Sequence, residues 1–355
     1  MKLSICIPTY HRREQLLRQL GLLMDTPDTL ASQIEICVSD NSTDPKHHLA
    51  AQDLAPFGAR VRYWINGENL GYAGNLKKLA TAAQGDYVWY LADDDFIYSD
   101  AISTILEVLT REPRVNYLTF DHDVSLKDQV STRNRWFSPR DEGFYPSGLE
   151  FLDRHIASTC FISINLFRRA PLVKLIARRG AVADNATHEN LLLAASFIAE
   201  QGGCYCIAKS LLCESSGEKT WSYESECKGL LDATRLYAQI QALLGDRPAA
   251  RQWGRTLDVT LAINTEFMAF ESAYTRPDFD FRPLYRQLRA IGFRDGRLRL
   301  KLLGRQAFYG FFRNRPSLLK LFYAARRRSD HWQSLYGWVR EVDDRRLAGR
   351  PVSTY

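Results

Sequence analysis

Apolar positions in the first 120 residues alternate between two periods. Leu3 to Ile7 is a short apolar run of strand length, and Ile34 to Val38, Arg60 to Ile65 and Tyr87 to Leu91 repeat it. Between them the period lengthens. Leu16, Leu17, Leu20 and Leu23 within Arg12 to Met24 fall at helical spacing, as do the apolar positions of Asn75 to Ala83 and Ala101 to Leu109, with Gly85 as a stop signal. Strands that alternate with helices predict an open, mostly parallel sheet covered on both faces. In such sheets ligands bind at the carboxyl ends of the strands. All four runs end in residues capable of chemistry: Pro8-Thr9-Tyr10, Asp40-Asn41-Ser42, Asn66 to Asn69, and three consecutive carboxylates, Asp93, Asp94 and Asp95.

The second half is less regular. Val115 to Phe120 and Phe161 to Phe167 read as strands, and Asp121 to Gly143 as a polar loop. Ala170 to Arg179 and His188 to Glu200 read as helices. Gly202-Gly203 ends the latter before a strand from Cys204 to Ile207. Ser215 to Ser222 is a loop rich in Ser, Gly and Lys. From Leu230 the pattern is helical, broken by Gly245 to Pro248, Pro277, Pro283 and Pro316.

Composition is that of a soluble globular protein, 45% apolar and 25% charged in 355 residues. No apolar run approaches the roughly 18–20 residues that span a bilayer; Leu191 to Ala199 stops at Glu200. "LSICIP" lacks the cleavage site of a signal peptide. Seven scattered cysteines form neither a CxxC motif nor a zinc set, which predicts reduced thiols in the cytoplasm, with Cys6 and Cys37 packed on strands. The net charge of +6 conceals an asymmetry. Residues 282–355 hold 18 Lys and Arg against 5 Asp and Glu, so an acidic body carries a basic tail.

Three adjacent carboxylates at a strand end have two readings. One is a solvated turn that caps the next helix. The other is a site for Mg²⁺ or Mn²⁺, hard ions that take oxygen ligands and complete their shells with water and phosphate. The triplet alone does not choose between them. Its surroundings do: "SICIPTYHR" (4–12), "EICVSDNSTD" (35–44) and "NLGYAGNLKKLATAAQGDYVWYLADDDF" (69–96) together resemble the inverting glycosyltransferases of family 2 in order, spacing and chemistry. The resemblance is close over the first 120 residues and loose beyond.

It implies the GT-A fold, a Rossmann-like, mostly parallel α/β sheet that binds a nucleotide-diphospho-sugar. Pro8, Thr9 and Tyr10 would line the base pocket, and Asp40 would accept a hydrogen bond from the base, a strong interaction for a carboxylate. An Asx turn in "SDNSTD" is the structural alternative for Asp40. Gly71 and Asn75 fit the family's turn near the nucleotide. Lys78 is within reach of the diphosphate, although a helical lysine is more often simply solvated. Many members carry an acid where Ala92 stands, so the acids here are shifted to 93–95. Asp94 takes the metal-ligating place, Asp93 the ribose or a metal-bound water, and Asp95 a second metal position or the acceptor side.

An inverting transfer needs a general base. The family supplies Asp or Glu about 80–100 residues after the metal motif, and "ADNATHEN" offers Asp184, His188 and Glu189 there. Helix-entry roles are the alternative for all three. Of the seven histidines, His188 alone falls in such a block; His47 and His48 read as a solvated helix face. The loop 215–225, with Lys219 and Trp221, is similar to loops of O-antigen transferases of the abequosyltransferase type.

Residues 294–328 interleave Arg and Lys with Leu, Phe and Tyr. A peripheral contact with an anionic inner-leaflet membrane, ordinary packing with a solvated basic face, and nucleic-acid binding compete, in that order. The expectation is a GT-A domain over 1–228 (nucleotide-sugar half 1–120, acceptor half 121–228) and a helical basic region over 229–355. The expected activity is metal-dependent transfer from a nucleotide-diphospho-sugar to a glycan or lipid-linked acceptor. The alternatives are a non-catalytic sugar-nucleotide or membrane-binding protein with a degenerate site, and a sugar nucleotidylyltransferase. The latter would need a glycine-rich loop that "PTYHRREQ" lacks.

Overall fold

The computed structural model describes residues 2–126, 129–133, 141–179, 189–215 and 238–254, with single residues at 236, 286, 304, 307, 308, 311 and 318. The chain divides into two compact units, 1–218 with 238–253, and 219–237 with 254–355. Asp184, His188, Lys219, Trp221 and the tail 294–328, apart from its few single residues, lie outside the described residues.

The elements follow in order: β1 Leu3–Thr9, α1 Arg13–Met24, α2 Asp28–Ala31, β2 Ile34–Asp40, α3 Ala51–Leu54, β3 Val61–Ile65, α4 Gly71–Ala82, β4 Tyr87–Tyr90, β5 Phe96–Ile97, α5 Ala101–Arg111, β6 Tyr117–Leu126, β7 Gln129–Arg133, β8 Gly143–Tyr145, α6 Gly148–His155, β9 Asn165–Arg168, α7 Arg169–Arg179, α8 Glu189–Gln201 and β10 Cys204–Ser215. One mixed sheet runs β3-β2-β1-β4-β9-β6-β10-β5, with β7 beside β6 and β8 beside β10. β1 to β4 pair in parallel, with Thr9 opposite Asp40 and Cys6 opposite both Cys37 and Tyr90. β9 is antiparallel to both β4 and β6, and β10 is parallel to β6. The carboxyl ends of β1, β2, β3, β4, β6 and β10 therefore share one edge.

Burial explains the short unbroken apolar runs. All residues of β2 and β4 are buried, as expected where both sheet faces are covered. α1 lays Leu16, Leu20 and Leu23 into the core, and α5 lays Ile102, Ile105, Leu106 and Leu109 there. The longest apolar run became α8, buried along Leu191 to Ala195 and at Phe197 and Ile198. α6 has no counterpart among the elements read from sequence. Its N-cap is Ser147, whose hydroxyl accepts from the Glu150 amide, and it buries Phe151 and Leu152. Gly148 at its start approaches Ile198 so closely that a Cβ would stand 1.7 Å from the Ile198 carbonyl oxygen.

Four sequence readings are corrected. Residues 121–143 are not all loop: β6 continues to Leu126, β7 pairs back on it, and β8 begins at Gly143. Strand pairing rescues these polar residues, which carry no apolar period. The first part of 161–167 is a 3₁₀ turn, and the strand begins only at Asn165. α4 starts at Gly71, a turn before Asn75, where Asn69 Oδ1 accepts the Gly71 N–H at 2.9 Å and Gly71 takes φ +68°. His47 and His48 are not on a helix face: Pro45–His47 is a 3₁₀ turn and both rings are half-buried.

Candidate active site

β1 ends at a bend. Thr9 is buried and Tyr10 is exposed. His11 adopts φ +57°, unusual for a residue with a side chain, and its N–H donates to Ser42 Oγ at 2.8 Å. The rings of Tyr10, His11 and His47 stack in series, 3.9 and 4.5 Å between centroids. His47 thus belongs beside the site, as does His11, which sequence reading passed over. Burial, then the neighbouring His47, lowers the pKa of His11.

Asp40 closes β2 and is 1% exposed. Its Oδ1 accepts the Ser42 N–H at 2.7 Å, an Asx turn, and its Oδ2 accepts the Tyr63 hydroxyl at 2.5 Å. Each oxygen keeps a second lone pair, so the turn does not preclude a further donor. Burial and the bond to Asp40 raise the Tyr63 hydroxyl pKa. Behind Asp40 lies a buried amide network. Asn66 Nδ2 donates to Asn41 Oδ1 at 2.6 Å, Asn41 Nδ2 to the Gly71 carbonyl at 3.0 Å, and Asn75 Nδ2 to the Ser39 carbonyl at 3.0 Å. Lys78 donates to Asn66 Oδ1. Gly71 and Asn75 are therefore tied into the scaffold that sets the ends of β2 and β3, and Lys78 joins it rather than being simply solvated.

The carboxylate triplet follows β4, and its members part company. Asp93 is 4% exposed; its Oδ2 accepts from Thr9 Oγ1 at 2.6 Å and its Oδ1 from Arg12 Nη1 at 3.0 Å. Burial pushes its pKa up to about 6, against the opposing pull of Arg12 and Thr9. Asp94 is the more open group, and its Oδ2 accepts from the same Arg12 Nη1 at 2.6 Å. Arg18 lies over the Phe96 ring at 4.6 Å. Asp95 is 2% exposed and accepts from Ser163 Oγ at 2.5 Å, while that hydroxyl accepts the Ala92 N–H at 3.0 Å. Near Asp95 stands Cys213, whose thiol pKa is raised by burial first and then by the carboxylates of Asp123, Asp95 and Glu214.

Asp93 and Asp94 thus converge on Arg12, Thr9 holds Asp93 from the other side, Asp40 stands across β1 at the end of β2, and Asp95 is held by Ser163. Among the described residues no three His, Cys, Asp or Glu side chains gather as a closed metal cage. An open carboxylate with a second beside it fits Mg²⁺ or Mn²⁺, which draw the remaining ligands from water and phosphate. Sequence reading missed Arg12, Tyr63 and Ser163. Arg12 stood inside the first quoted block; Ser163 carried no signal, since only β9 packing against β4 brings it to Asp95. Of the candidate bases, only the helical backbone of Glu189 is described, at the start of α8.

The profile described as glycosyl transferase family 2 matches residues 4–175. The chain is 32% identical over 146 residues to abequosyltransferase RfbV of Salmonella typhimurium, covering 40% of this chain and 43% of that protein. It is 29% identical over 107 residues to the GalNAc(5)-diNAcBac-PP-undecaprenol beta-1,3-glucosyltransferase of Campylobacter jejuni, covering 30% and 34%. The matches thus span less than half the length of these relatives. Among solved structures, S. aureus TarS 1–349 in complex with UDP-GlcNAc shares the fold at TM-score 0.56 and 14% identity, over 88% of this chain and 91% of that one. The mannosyltransferase PcManGT of Pyrobaculum calidifontis, in complex with GDP-Man and Mn²⁺, follows at 0.50 and 14%, over 88% and 87%. The fold is GT-A.

Proposed function

We propose that this protein, whose residues 4–175 match the profile of glycosyl transferase family 2, is a metal-dependent inverting glycosyltransferase using a nucleotide-diphospho-sugar donor. The observation that carries the reading is the convergence of Thr9, Asp93 and Asp94 at the strand edge that also carries Asp40. Tyr10, exposed and backed by His11, offers a flat face to the base beside Pro8 and Thr9. Asp40 accepts from the base, and Asp93 orients the ribose. Asp94 is the metal ligand, with Asp95 assigned to the second metal position or the acceptor side. A bound Mn²⁺ or Mg²⁺ supplies Lewis-acid neutralisation of the leaving diphosphate.

The base that takes the acceptor proton is assigned to Asp184, Glu189 or His188, with residues 1–228 as the transferase domain and 229–355 as its helical extension. The acceptor class is a lipid-linked oligosaccharide or surface polysaccharide. Two similarities support this: one relative is named as a glucosyltransferase of a glycan on PP-undecaprenol, and another is an abequosyltransferase. No helix among the described residues is long and apolar enough to cross a membrane. Contact with an anionic inner leaflet from the cytoplasmic side is assigned to the basic tail, and flotation with anionic vesicles tests it.

The donor test is a thermal-shift screen of nucleotide sugars with Mn²⁺, followed by donor hydrolysis with the best stabiliser. Asp94→Ala should abolish metal-dependent turnover. Unchanged nucleotide binding and turnover in that variant would refute the metal assignment.

A further inference from the structure

One nitrogen of Arg12 bridges two of the three site carboxylates, at 3.0 Å from Asp93 Oδ1 and 2.6 Å from Asp94 Oδ2. Arg12 is placed there by the left-handed turn at His11, between the end of β1 and the start of α1. Its side chain is three-quarters buried, and Asp93 is almost wholly so. Two adjacent carboxylates, one of them desolvated, repel each other strongly unless a cation sits between them. The guanidinium is that cation. It engages Asp94 through Oδ2, on the carboxylate that a divalent ion would have to share.

We infer that Arg12 is a resident counter-cation of the donor site, and that a divalent metal must displace it from Asp94 in order to bind. The inference rests on the reading of Asp94 as a metal ligand. It assigns Arg12 a positioning role with two consequences. In the metal-free protein the arginine ties Asp93 and Asp94 together through one nitrogen. On metal entry its charge must leave Asp94 Oδ2, and a diphosphate arriving with the metal offers the displaced guanidinium a planar, bidentate anionic partner. Metal and nucleotide should therefore bind with positive coupling, and Arg12 should carry that coupling.

Mn²⁺ titration followed by electron paramagnetic resonance of free Mn²⁺, with and without UDP as the diphosphate probe, tests this. Arg12→Gln should bind Mn²⁺ alone about tenfold more tightly than the wild type, since one opposing charge is gone. It should also gain less from UDP. Arg12→Lys, which retains the charge, should stay near the wild type. Equal or weaker Mn²⁺ binding by Arg12→Gln overturns the inference while leaving the transferase reading intact. Absence of Mn²⁺ binding by wild type and variant alike, even with UDP, overturns the metal assignment and the inference with it. A readout on the unsubstituted protein guards against a misfolded variant: the Arg12 side-chain NMR resonance should shift on saturation with Mg²⁺, and an unmoved resonance overturns the inference.

Discussion

The hydroxyl of Thr9 donates a 2.6 Å hydrogen bond to Asp93 Oδ2, tying the carboxyl end of β1 to that of β4. It is one of the few partners of a carboxylate that burial alone would drive to the neutral form. Folding raises the Asp93 pKa from 3.8 to about 6, so the native state binds this proton more tightly than the unfolded chain. The native state therefore gains stability as pH falls from 6 toward 4, and bears the full cost of the buried charge above 6.

Thr9→Val removes the donor and keeps the shape. The loss should be about 1–3 kcal/mol at pH 8, where Asp93 is ionised. It should be smaller at pH 5, where Asp93 is largely protonated. Urea denaturation at the two pH values measures the difference; equal costs would show that the hydroxyl does not stabilise the ionised carboxylate.

Tyr63→Phe leaves Asp40 Oδ2 without its 2.5 Å donor. Asp40 is buried, so the variant should lose about 1–3 kcal/mol. The same substitution should weaken nucleotide binding, because Asp40 then loses one of the two bonds that aim it. Calorimetric titration with the donor found in the screen checks this, and unchanged affinity would detach Tyr63 from the site.

Glu35 provides a pH-dependent test away from the site. Burial pushes its pKa up, but Ser4 Oγ at 2.5 Å and the amides of Gln84 and Gly85 at 2.5 and 2.9 Å outweigh this and lower it overall. A lowered carboxylate pKa contributes stability that is present above its unfolded value, near 4.5, and is lost as pH falls below it. Glu35→Gln should cost about 1–3 kcal/mol at pH 7 and flatten the decline in Tm below pH 4.5. An unchanged acid limb would contradict the assignment.

Gly148→Ala should be among the most damaging single-methyl substitutions in the chain. The new Cβ would stand 1.7 Å from a backbone oxygen of α8, which cannot rotate away. α6 and α8 must separate, at about 3 kcal/mol. A Tm within a degree of the wild type would show that α6 shifts freely.

The amino-acid sequence by itself determined the parallel half of the sheet. β1, β2 and β4 are short apolar runs buried on both faces, β3 is a half-buried run beside them, and the helices between them carry their own period, so each element was legible from local pattern. It also placed Thr9, Asp40 and the Asp93 triplet at strand ends, because motif spacing follows chain geometry. Tertiary structure decided what local pattern could not carry. The polar residues of β6 and β7 became strand because neighbours supplied hydrogen bonds, and not because an apolar period required it. Which carboxylate of the triplet opens to solvent was settled by Ser163 capturing Asp95 and Thr9 capturing Asp93, contacts made across 68 and 84 residues. Arg12 was visible as a charge in the sequence, but its role as the bridge between Asp93 and Asp94 arises only once β1 and β4 lie side by side. Local periodicity selects secondary structure; the pairing of buried polar groups depends on long-range packing, because each must find its partner wherever the fold happens to place one.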